Sequence, residues 1–356
     1  MSIHNKVFPY IFKVMRGDVR LGQLASFARN RLARKAEVMP GKPSHISFFV
    51  TSRCNFRCDM CSTHSTKVPK SYMHRHHEAP DMSVDLLRSV LDRYPNVIRV
   101  PLIGVGEPLL NPQLFDMVRE CTKRRMIADT FTNGYALDAF IPDIVSSEID
   151  RINVSINGHT GDEFHRMTGN PGVDYSRILR NVEALVRERA NKRSSLRIDL
   201  SFIIDSNNYL HMKDMIEVGE TLGVDSVSLS QFIASPYPPF TPKERCLFAD
   251  DEEVIKELAL LMSRKYRCHV RWPYLLKRPG GERTICRWPF SMLLVDGAGN
   301  VGGCGKAVLN MHENGTIYDK DPWNNQYFRD LRSRHLKGTL LWPCQSCVEC
   351  AGVKPR

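Results

Sequence analysis

Short apolar runs alternate with amphipathic stretches along most of the chain, and this alternation restricts the fold more than any other feature of the sequence. In the intervening stretches, apolar residues recur every three or four positions, which is typical of helices packed on one face. Strand–helix–strand units at this spacing form right-handed crossovers and a parallel sheet. The predicted strands are 45–50, 97–104, 128–134, 151–158, 196–204 and 224–232. Six such units predict an α/β fold built as a partial (β/α)6 barrel.

Interruptions of this pattern predict four regions. Residues 1–43 are expected to form a basic helical segment that ends at a Pro-Gly-Lys-Pro sequence, and residues 44–235 are expected to form the barrel. A proline-rich stretch then introduces a linker and helix over 236–285. The remaining residues, 286–356, form a cysteine-rich module in which Asp-Gly and Gly-Asn predict a β-hairpin turn.

Charge and hydropathy exclude some classes of protein. The net charge of +11 favours anionic partners. The basic residues are scattered, however, and no nucleic-acid-binding module accompanies them, so nucleic acid is not the expected partner. We find neither a signal-peptide pattern nor a run of about 18 apolar residues, and therefore expect a cytoplasmic protein without a membrane span.

The first group of cysteines directly follows the first predicted strand. Cys54, Cys58 and Cys61 have a C-x3-C-x2-C spacing, which allows three thiolates on one loop to converge on a soft metal centre. Three cysteines leave one iron of a cubane cluster without a protein ligand, so a small molecule could chelate that iron. The alternative is a Cys3His zinc site completed by His64.

The other cysteines divide into clustered and isolated ones. Four thiolates drawn from the clustered set could hold either a second cubane cluster or a tetrahedral zinc ion. The isolated cysteines are expected to be buried small hydrophobic residues. The clustered set is Cys286, Cys304, Cys344, Cys347 and Cys350, and the isolated set is Cys121, Cys246 and Cys268.

The loop that carries Cys54, Cys58 and Cys61 resembles the radical S-adenosylmethionine (SAM) superfamily, in which this spacing follows the first strand of a TIM-like partial barrel. Three further motifs at successive strand ends extend the resemblance over about residues 44–235. Val105 replaces the first glycine of the family's Gly-Gly-Glu-Pro motif, and Asn157 stands where aspartate is usual. The motif residues are Gly106, Glu107 and Pro108, then Thr132 and Asn133, then Ser155 and Asn157.

The resemblance implies cofactors and roles for these residues. It implies a [4Fe–4S] cluster on the three cysteines and SAM bound beside it. Backbone carbonyls of the Gly106–Pro108 segment would receive the amino group of SAM, and the motif of the fourth strand would face its ribose. A reductant protein such as flavodoxin or ferredoxin would supply an electron, and SAM would yield a 5′-deoxyadenosyl radical.

The C-terminal cysteines resemble the auxiliary-cluster modules called twitch and SPASM. Twelve residues separate Cys286 from Gly299, four more precede Cys304, and a C-x2-C-x2-C sequence begins at Cys344. Five cysteines suffice for one cluster, so the resemblance favours the single-cluster twitch form and implies an auxiliary [4Fe–4S] cluster. Which two of the last three cysteines bind is left open, and so is a zinc site built from Cys304 and those three.

Three functions remain open. The favoured one is oxidation or rearrangement of a small polar metabolite, such as a sugar, cyclitol or nucleoside, because residues 1–44 are too few for a winged helix that binds a peptide leader. The alternative is modification of a ribosomally made peptide, and the third is a zinc-binding scaffold without catalysis. No general acid or base is assigned. His165 and Arg166 are expected on a helix surface, and Tyr237 and the histidines at 74, 76 and 77 are no stronger candidates.

Overall fold

A nine-stranded sheet organises the molecule. The computed structural model describes residues 20–32, 35–67, 69, 79–232, 243–278, 284–305, 311–340, 344, 347 and 352–353. The sheet has the order β10-β9-β1-β2-β3-β4-β5-β6-β7. Its strands are β1 (His45–Phe49), β2 (Arg99–Ile103), β3 (Ile127–Thr132), β4 (Arg151–Ser155), β5 (Arg197–Ile204), β6 (Ser226–Gln231), β7 (His269–Arg271), β9 (Met292–Asp296) and β10 (Val301–Gly302). A separate two-stranded sheet pairs β8 (Leu275–Leu276) with β11 (Gly352–Val353).

The first six strands confirm the predicted barrel. Each lies parallel to the next in chain order, from β1 to β6. All six coincide with predicted runs, because both faces of a parallel sheet are covered and its strands are accordingly apolar. The carboxyl ends of the strands therefore meet at one mouth, where loops can carry chemistry.

Helices cover the outside of the sheet. The helices are α1 (Leu21–Leu32), α2 (Val84–Arg93), α3 (Leu114–Lys123), α4 (Ile141–Ser146), α5 (Gly161–Thr168), α6 (Tyr175–Asn191), α7 (Met212–Leu222), α8 (Glu252–Met262) and α9 (Gln326–Lys337). The amphipathic pattern correctly predicted α2, α3, α6, α7 and α8, α1 lies within the predicted basic helical segment, and α5 is the helix expected to carry His165 and Arg166. Neither α4 nor α9 was predicted. The latter is strongly polar, and only three of its side chains, Phe328, Arg332 and His335, are buried.

The C-terminal region adds strands to the sheet. The predicted hairpin forms as β9 and β10, and β9 also pairs in parallel with the free edge of β1. At the other end, β7 pairs in parallel with β6, so the segment predicted as linker and helix also contributes a strand. An edge strand leaves unpaired N–H and C=O groups. The two additions satisfy those groups on both outer strands of the six-stranded unit.

A buried arginine joins the two ends of the described chain. Arg332 of α9 donates to the carbonyl oxygens of Glu37, Pro289 and Trp323, at 2.8 to 3.1 Å. Its guanidinium lies 4.2 Å from the ring centroid of Trp323, whose indole N–H donates to the Gly41 carbonyl at 2.9 Å. Burial lowers the pKa of Arg332 to about 10, so these acceptors are what keeps the charge inside.

No helix among the described residues combines the length and apolar character needed to cross a bilayer. The predicted boundary near residue 235 falls in a stretch outside the described residues, and so do residues 1–19 of the predicted N-terminal helical segment.

Candidate active site

The loop after β1 reaches across the mouth of the barrel. On one side, the Gly106 and Glu107 backbone N–H groups donate to the carbonyls of Thr51 and Arg53, at 3.3 and 2.8 Å. On the other side, the Asp59 N–H donates to the Thr168 carbonyl at the end of α5, at 2.8 Å. These bonds fix the segment 54–61, which carries Cys54, Cys58 and Cys61, above the strand ends.

Position 106 requires glycine because its backbone packs closely against the backbone of Arg53, just before Cys54. A Cβ atom built at Gly106 would lie 2.0 Å from the Arg53 carbonyl oxygen. Real carbon–oxygen contacts are more than an ångström longer, so any side chain here would push the loop that carries Cys54 away. The glycine that the sequence motif singled out is therefore explained by packing against that loop.

The three thiols lie close together and are half-buried. Burial raises the pKa of Cys54 to about 11 and that of Cys58 to about 12. Repulsion from Cys61 adds to both increases, and hydrogen bonds to the sulfurs oppose them. Each sulfur also accepts a hydrogen bond: Cys54 from the Phe56 N–H at 3.4 Å, Cys58 from the side-chain amide of Asn170 at 3.5 Å, and Cys61 from the His64 N–H at 3.3 Å. Without a cation the thiols of Cys54 and Cys58 would stay protonated, whereas a bound metal deprotonates its thiol ligands. The donor set therefore fits a thiolate-bound metal centre.

The donor atoms of this loop do not form a compact set around one point. Among the described residues, the set of three metal-ligand side chains whose atoms all lie within 4.8 Å of one another is elsewhere, at His159, His211 and Asp214. Ligands at about 2.3 Å from one tetrahedral zinc would hold their sulfurs roughly 3.8 Å apart. The three thiols, with or without His64, do not form such a set, and their positions do not decide between the cluster and the Cys3His zinc alternative.

Glu107, Thr132 and Asn133 meet at the ends of β2 and β3. The buried carboxylate of Glu107 accepts from the backbone N–H groups of Leu109, at 3.2 Å, and Asn133, at 2.7 Å. Burial raises the pKa of Glu107, and these hydrogen bonds, with one from Thr132, oppose the rise. The Asn133 side chain then donates to the Asn55 side chain of the cysteine-bearing loop at 2.7 Å. Pro108 begins the short 3-10 turn that follows.

Ser155 and Asn157 contact the neighbouring strand. The Ser155 hydroxyl lies 3.1 Å from the Ser201 hydroxyl, and the Asn157 side-chain oxygen accepts from the Ile203 N–H at 3.1 Å. Asn157 has a φ of +43°, in the left-handed region that asparagine tolerates better than most residues. The asparagine thus has a local structural role, and the ribose contact that the resemblance implies for it stays a proposal.

The C-terminal thiols share one neighbourhood. Burial raises the pKa of Tyr327 to about 12, and repulsion from Cys304 and Cys344 contributes, which places both thiols near its hydroxyl. Cys286 is buried and attracts the Lys35 ammonium, whose pKa is lowered by burial. Cys347 is also buried, and its N–H donates to the Cys344 carbonyl at 3.4 Å, whereas Cys350 lies outside the described residues.

His335 is a polar neighbour of this group that sequence reasoning missed. Its Nε2 lies 3.6 Å from the Cys344 sulfur, and its buried Nδ1 has no hydrogen-bond partner within the described structure. Burial lowers the pKa of His335, and the nearby Lys35 lowers it further. A sequence prediction of α9 would have placed His335 on the same helix face as Phe328 and Arg332, and would thus have indicated that it is buried. The arrangement is compatible with an auxiliary cluster and also with zinc.

Of the side chains considered as acids or bases, only His165 and Arg166 lie among the described residues, and both make contacts close to α5. His165 and Arg166 lie on α5, as expected, where His165 Nε2 contacts the Val173 carbonyl at 2.9 Å and Arg166 lies 3.5 Å from Glu163. Tyr237 and the histidines at 74, 76 and 77 lie outside the described residues. Cys121, Cys246 and Cys268 are buried, as expected for isolated cysteines.

One protein family matches the part of the sequence that forms this site. The family model described as the radical SAM superfamily matches residues 48–218. A curated relative, the tungsten-containing aldehyde ferredoxin oxidoreductase cofactor-modifying protein of Pyrococcus furiosus, is 27% identical over 201 residues, which are 55% of this chain and 52% of that protein. The chain therefore spans about half the length of this relative.

Two further proteins are similar over most of the chain. The AdoMet-dependent heme synthase of Methanosarcina barkeri is 24% identical over 351 residues, covering 89% of this chain and 93% of that protein. The crystal structure of Streptococcus suis SuiB bound to S-adenosylmethionine superimposes with a TM-score of 0.63 at 12% identity, over 87% of this chain and 71% of that chain. At this identity the second similarity concerns the fold.

Proposed function

We propose that this chain, whose residues 48–218 match the radical SAM superfamily, is an enzyme that cleaves SAM reductively and directs the resulting radical at a small polar metabolite. The observation that carries this proposal is the placement of Cys54, Cys58 and Cys61 on a loop hydrogen-bonded across the barrel mouth. In that position an iron left without a protein ligand would face the strand ends, where substrates of such barrels bind.

Residues of the chain would hold and orient the cofactors. Cys54, Cys58 and Cys61 would ligate a [4Fe–4S] cluster, whose contribution when bound is to pass one electron to SAM, so that the C5′–S bond breaks into methionine and a 5′-deoxyadenosyl radical. The Gly106–Pro108 segment would receive the SAM amino group through its carbonyls, since the Glu107 side chain is already occupied by N–H donors. Thr132, Asn133, Ser155 and Asn157 would line the remaining strand ends. A flavodoxin- or ferredoxin-type protein would supply the electron.

The hydrogen taken from substrate balances the radical step. The 5′-deoxyadenosyl radical becomes 5′-deoxyadenosine, and the substrate becomes a carbon radical. For an oxidation, this radical must lose one electron and one proton. An auxiliary cluster held by four of Cys286, Cys304, Cys344, Cys347 and Cys350 would accept the electron, whereas a rearrangement would return the hydrogen and need no acceptor.

The substrate class is proposed from two lines of support. The names of the Pyrococcus furiosus and Methanosarcina barkeri relatives point to a cofactor and to heme, which are small molecules. A ribosomally made peptide is the alternative, and the basic charge of the chain favours it through attraction to acidic peptides. The metabolite proposal is preferred because the similarity to the heme synthase extends over 89% of the chain.

An anaerobic assay for 5′-deoxyadenosine separates the two substrate classes. The reconstituted protein, SAM and a reductant would be incubated with pooled deuterated metabolites or with pooled deuterated peptides. We expect deuterium in 5′-deoxyadenosine from a metabolite pool and none above background from the peptides. Deuterium transfer from peptides alone would replace the metabolite proposal with the peptide one.

A further inference from the structure

A second group of ligating side chains lies where the loops after β4 and β5 meet. His159 precedes α5, and His211 and Asp214 stand at the start of α7. One donor atom from each of the three lies within 4.8 Å of the others. The two imidazole rings are stacked, with centroids 4.5 Å apart and planes inclined by 21°.

A buried carboxylate orients the first histidine. His159 Nδ1 is hydrogen-bonded to Glu163, whose same oxygen accepts the His159 backbone N–H at 2.9 Å. The residue is only 6% exposed, and it is fixed at the N-terminus of α5 by Thr160, whose hydroxyl accepts the Glu163 N–H at 3.2 Å. This leaves Nε2 directed at Asp214, 3.9 Å from its Oδ2. A metal-bound histidine characteristically donates its other ring N–H to a carboxylate in this way.

The distances suit a single ion. His211 Nδ1 lies 3.1 Å from Asp214 Oδ2, and His159 Nε2 lies 3.9 Å from the same oxygen. Nitrogen and oxygen ligands at about 2.0–2.1 Å from a tetrahedral zinc are roughly 3.3 Å apart, so an ion would draw His159 closer to Asp214 than it is in this structure, whereas His211 and Asp214 are already at a suitable distance. Imidazole nitrogens select zinc and its transition-metal neighbours over magnesium and calcium, which prefer oxygen.

We propose that His159, His211 and Asp214 bind a first-row divalent transition metal of the zinc class, with Glu163 orienting His159. A cavity of about 400 Å³ adjoins His159 and Asp214 and is lined otherwise by side chains of α6 and α7. It gives the ion room for a water or another oxygen ligand in a fourth position. The site is separate from the thiols of the barrel mouth and contains no cysteine.

Zinc binding to the full-length, cluster-loaded protein tests the proposal. The protein would be treated with a chelator under anaerobic conditions and titrated with Zn²⁺, and bound zinc would be counted by elemental analysis after ultrafiltration. We expect one chelator-removable zinc per chain. His211→Ala and Asp214→Asn should each weaken binding at least tenfold, and both positions are exposed enough to be changed without loss of folding.

X-ray absorption at the zinc edge identifies the ligands without interference from iron. We expect only nitrogen and oxygen neighbours, at about 2.0–2.1 Å, and no sulfur at about 2.3 Å. His312→Ala is the matched control, because it removes an exposed histidine from another part of the chain, and it should bind zinc as the wild type does. Unchanged zinc affinity in both site variants, or zinc bound only through sulfur, would overturn the site and leave a hydrogen-bonded histidine pair.

Discussion

Single residues at the mouth act by holding the cysteine-bearing loop in place, and Gly106 is the sharpest case. A methyl group at this position would collide with the Arg53 carbonyl, one residue before Cys54. We predict that Gly106→Ala lowers iron at the first cluster to well under half of the wild-type content, because the three thiolates would lose their common geometry. Iron content and cluster absorbance per chain, measured after identical anaerobic reconstitution, check this expectation.

Gly172→Ala is the matched control for this substitution. No atom lies within 4 Å of a Cβ built at Gly172, so the same methyl group meets open space. Iron content in this variant should equal that of the wild type. Equal iron content in the Gly106 variant as well would show that the loop tolerates displacement and that the tight contact does not define the site.

For single residues, the sequence predicted which positions are candidates for the site, but it did not predict their contacts. Cysteine spacing predicted that Cys54, Cys58 and Cys61 share one loop, because local spacing survives folding, and their role as ligands stays a prediction. The contact of Asn157 with Ile203 of β5 joins residues 46 positions apart, and that of His335 with Cys344 joins a helix to the segment that follows it. Spacing carries no information about such contacts, so these two side chains acquired their roles only from the structure.

Among the elements, β1 supports the cysteine-bearing loop and begins at a half-buried histidine, His45. Burial, aided by the nearby cations of Arg99 and Arg287, lowers the pKa of His45 to about 4. The unfolded chain binds a proton near pH 6.5, whereas the folded chain does not until about pH 4, so acid favours unfolding between these values. The stabilising contribution of neutral His45 is complete above pH 6.5 and is lost as the pH falls.

We predict that His45 accounts for a loss of about 1 kcal/mol of unfolding free energy between pH 7.5 and pH 5.5. Denaturant unfolding at the two pH values, in wild type and in His45→Gln, measures this contribution as the difference between their pH dependences. The glutamine variant should lose less stability than the wild type over this interval. The same pH dependence in both proteins would mean that His45 is protonated at similar pH in the folded and unfolded chain.

Helices and strands were predictable where the hydrophobic pattern repeats, but the pairing between strands was not. Apolar runs separated by amphipathic stretches indicated β1 to β6 and five helices, because each period reports one buried face. Neither the short β7 nor the pairing of β9 with β1 has such a signal, since three residues show no period and pairing depends on which sheet edge is free. The amphipathic pattern did not predict α9, because the buried residues of this polar helix include an arginine and a histidine.

Across the whole molecule, the C-terminal region is joined to the barrel through β9 and to the N-terminal segment through Arg332. This connection places Cys286 six residues before a strand that is paired with β1, the strand leading into the first cysteine cluster. If the second centre is a [4Fe–4S] cluster, reconstituted protein should hold about eight irons, and a Cys286→Ala, Cys304→Ala variant about four.

Product analysis extends the same experiment to function. For a substrate oxidation, the double variant should still cleave SAM but accumulate little oxidised product, because the substrate radical loses its electron acceptor. About four irons together with one sulfur-ligated zinc in the wild type would reject the auxiliary cluster. The chemistry would then be a rearrangement or another reaction with hydrogen return.

The central claim is that Cys54, Cys58 and Cys61 hold the cluster that cleaves SAM. The most direct measurement is 5′-deoxyadenosine formed from SAM and dithionite under anaerobic conditions, with iron counted in the same samples. The variant with all three changed to alanine should lose about four irons and all cleavage, whereas Cys268→Ala, which removes an isolated buried thiol, should retain both. Cleavage of SAM by the triple variant would contradict the account.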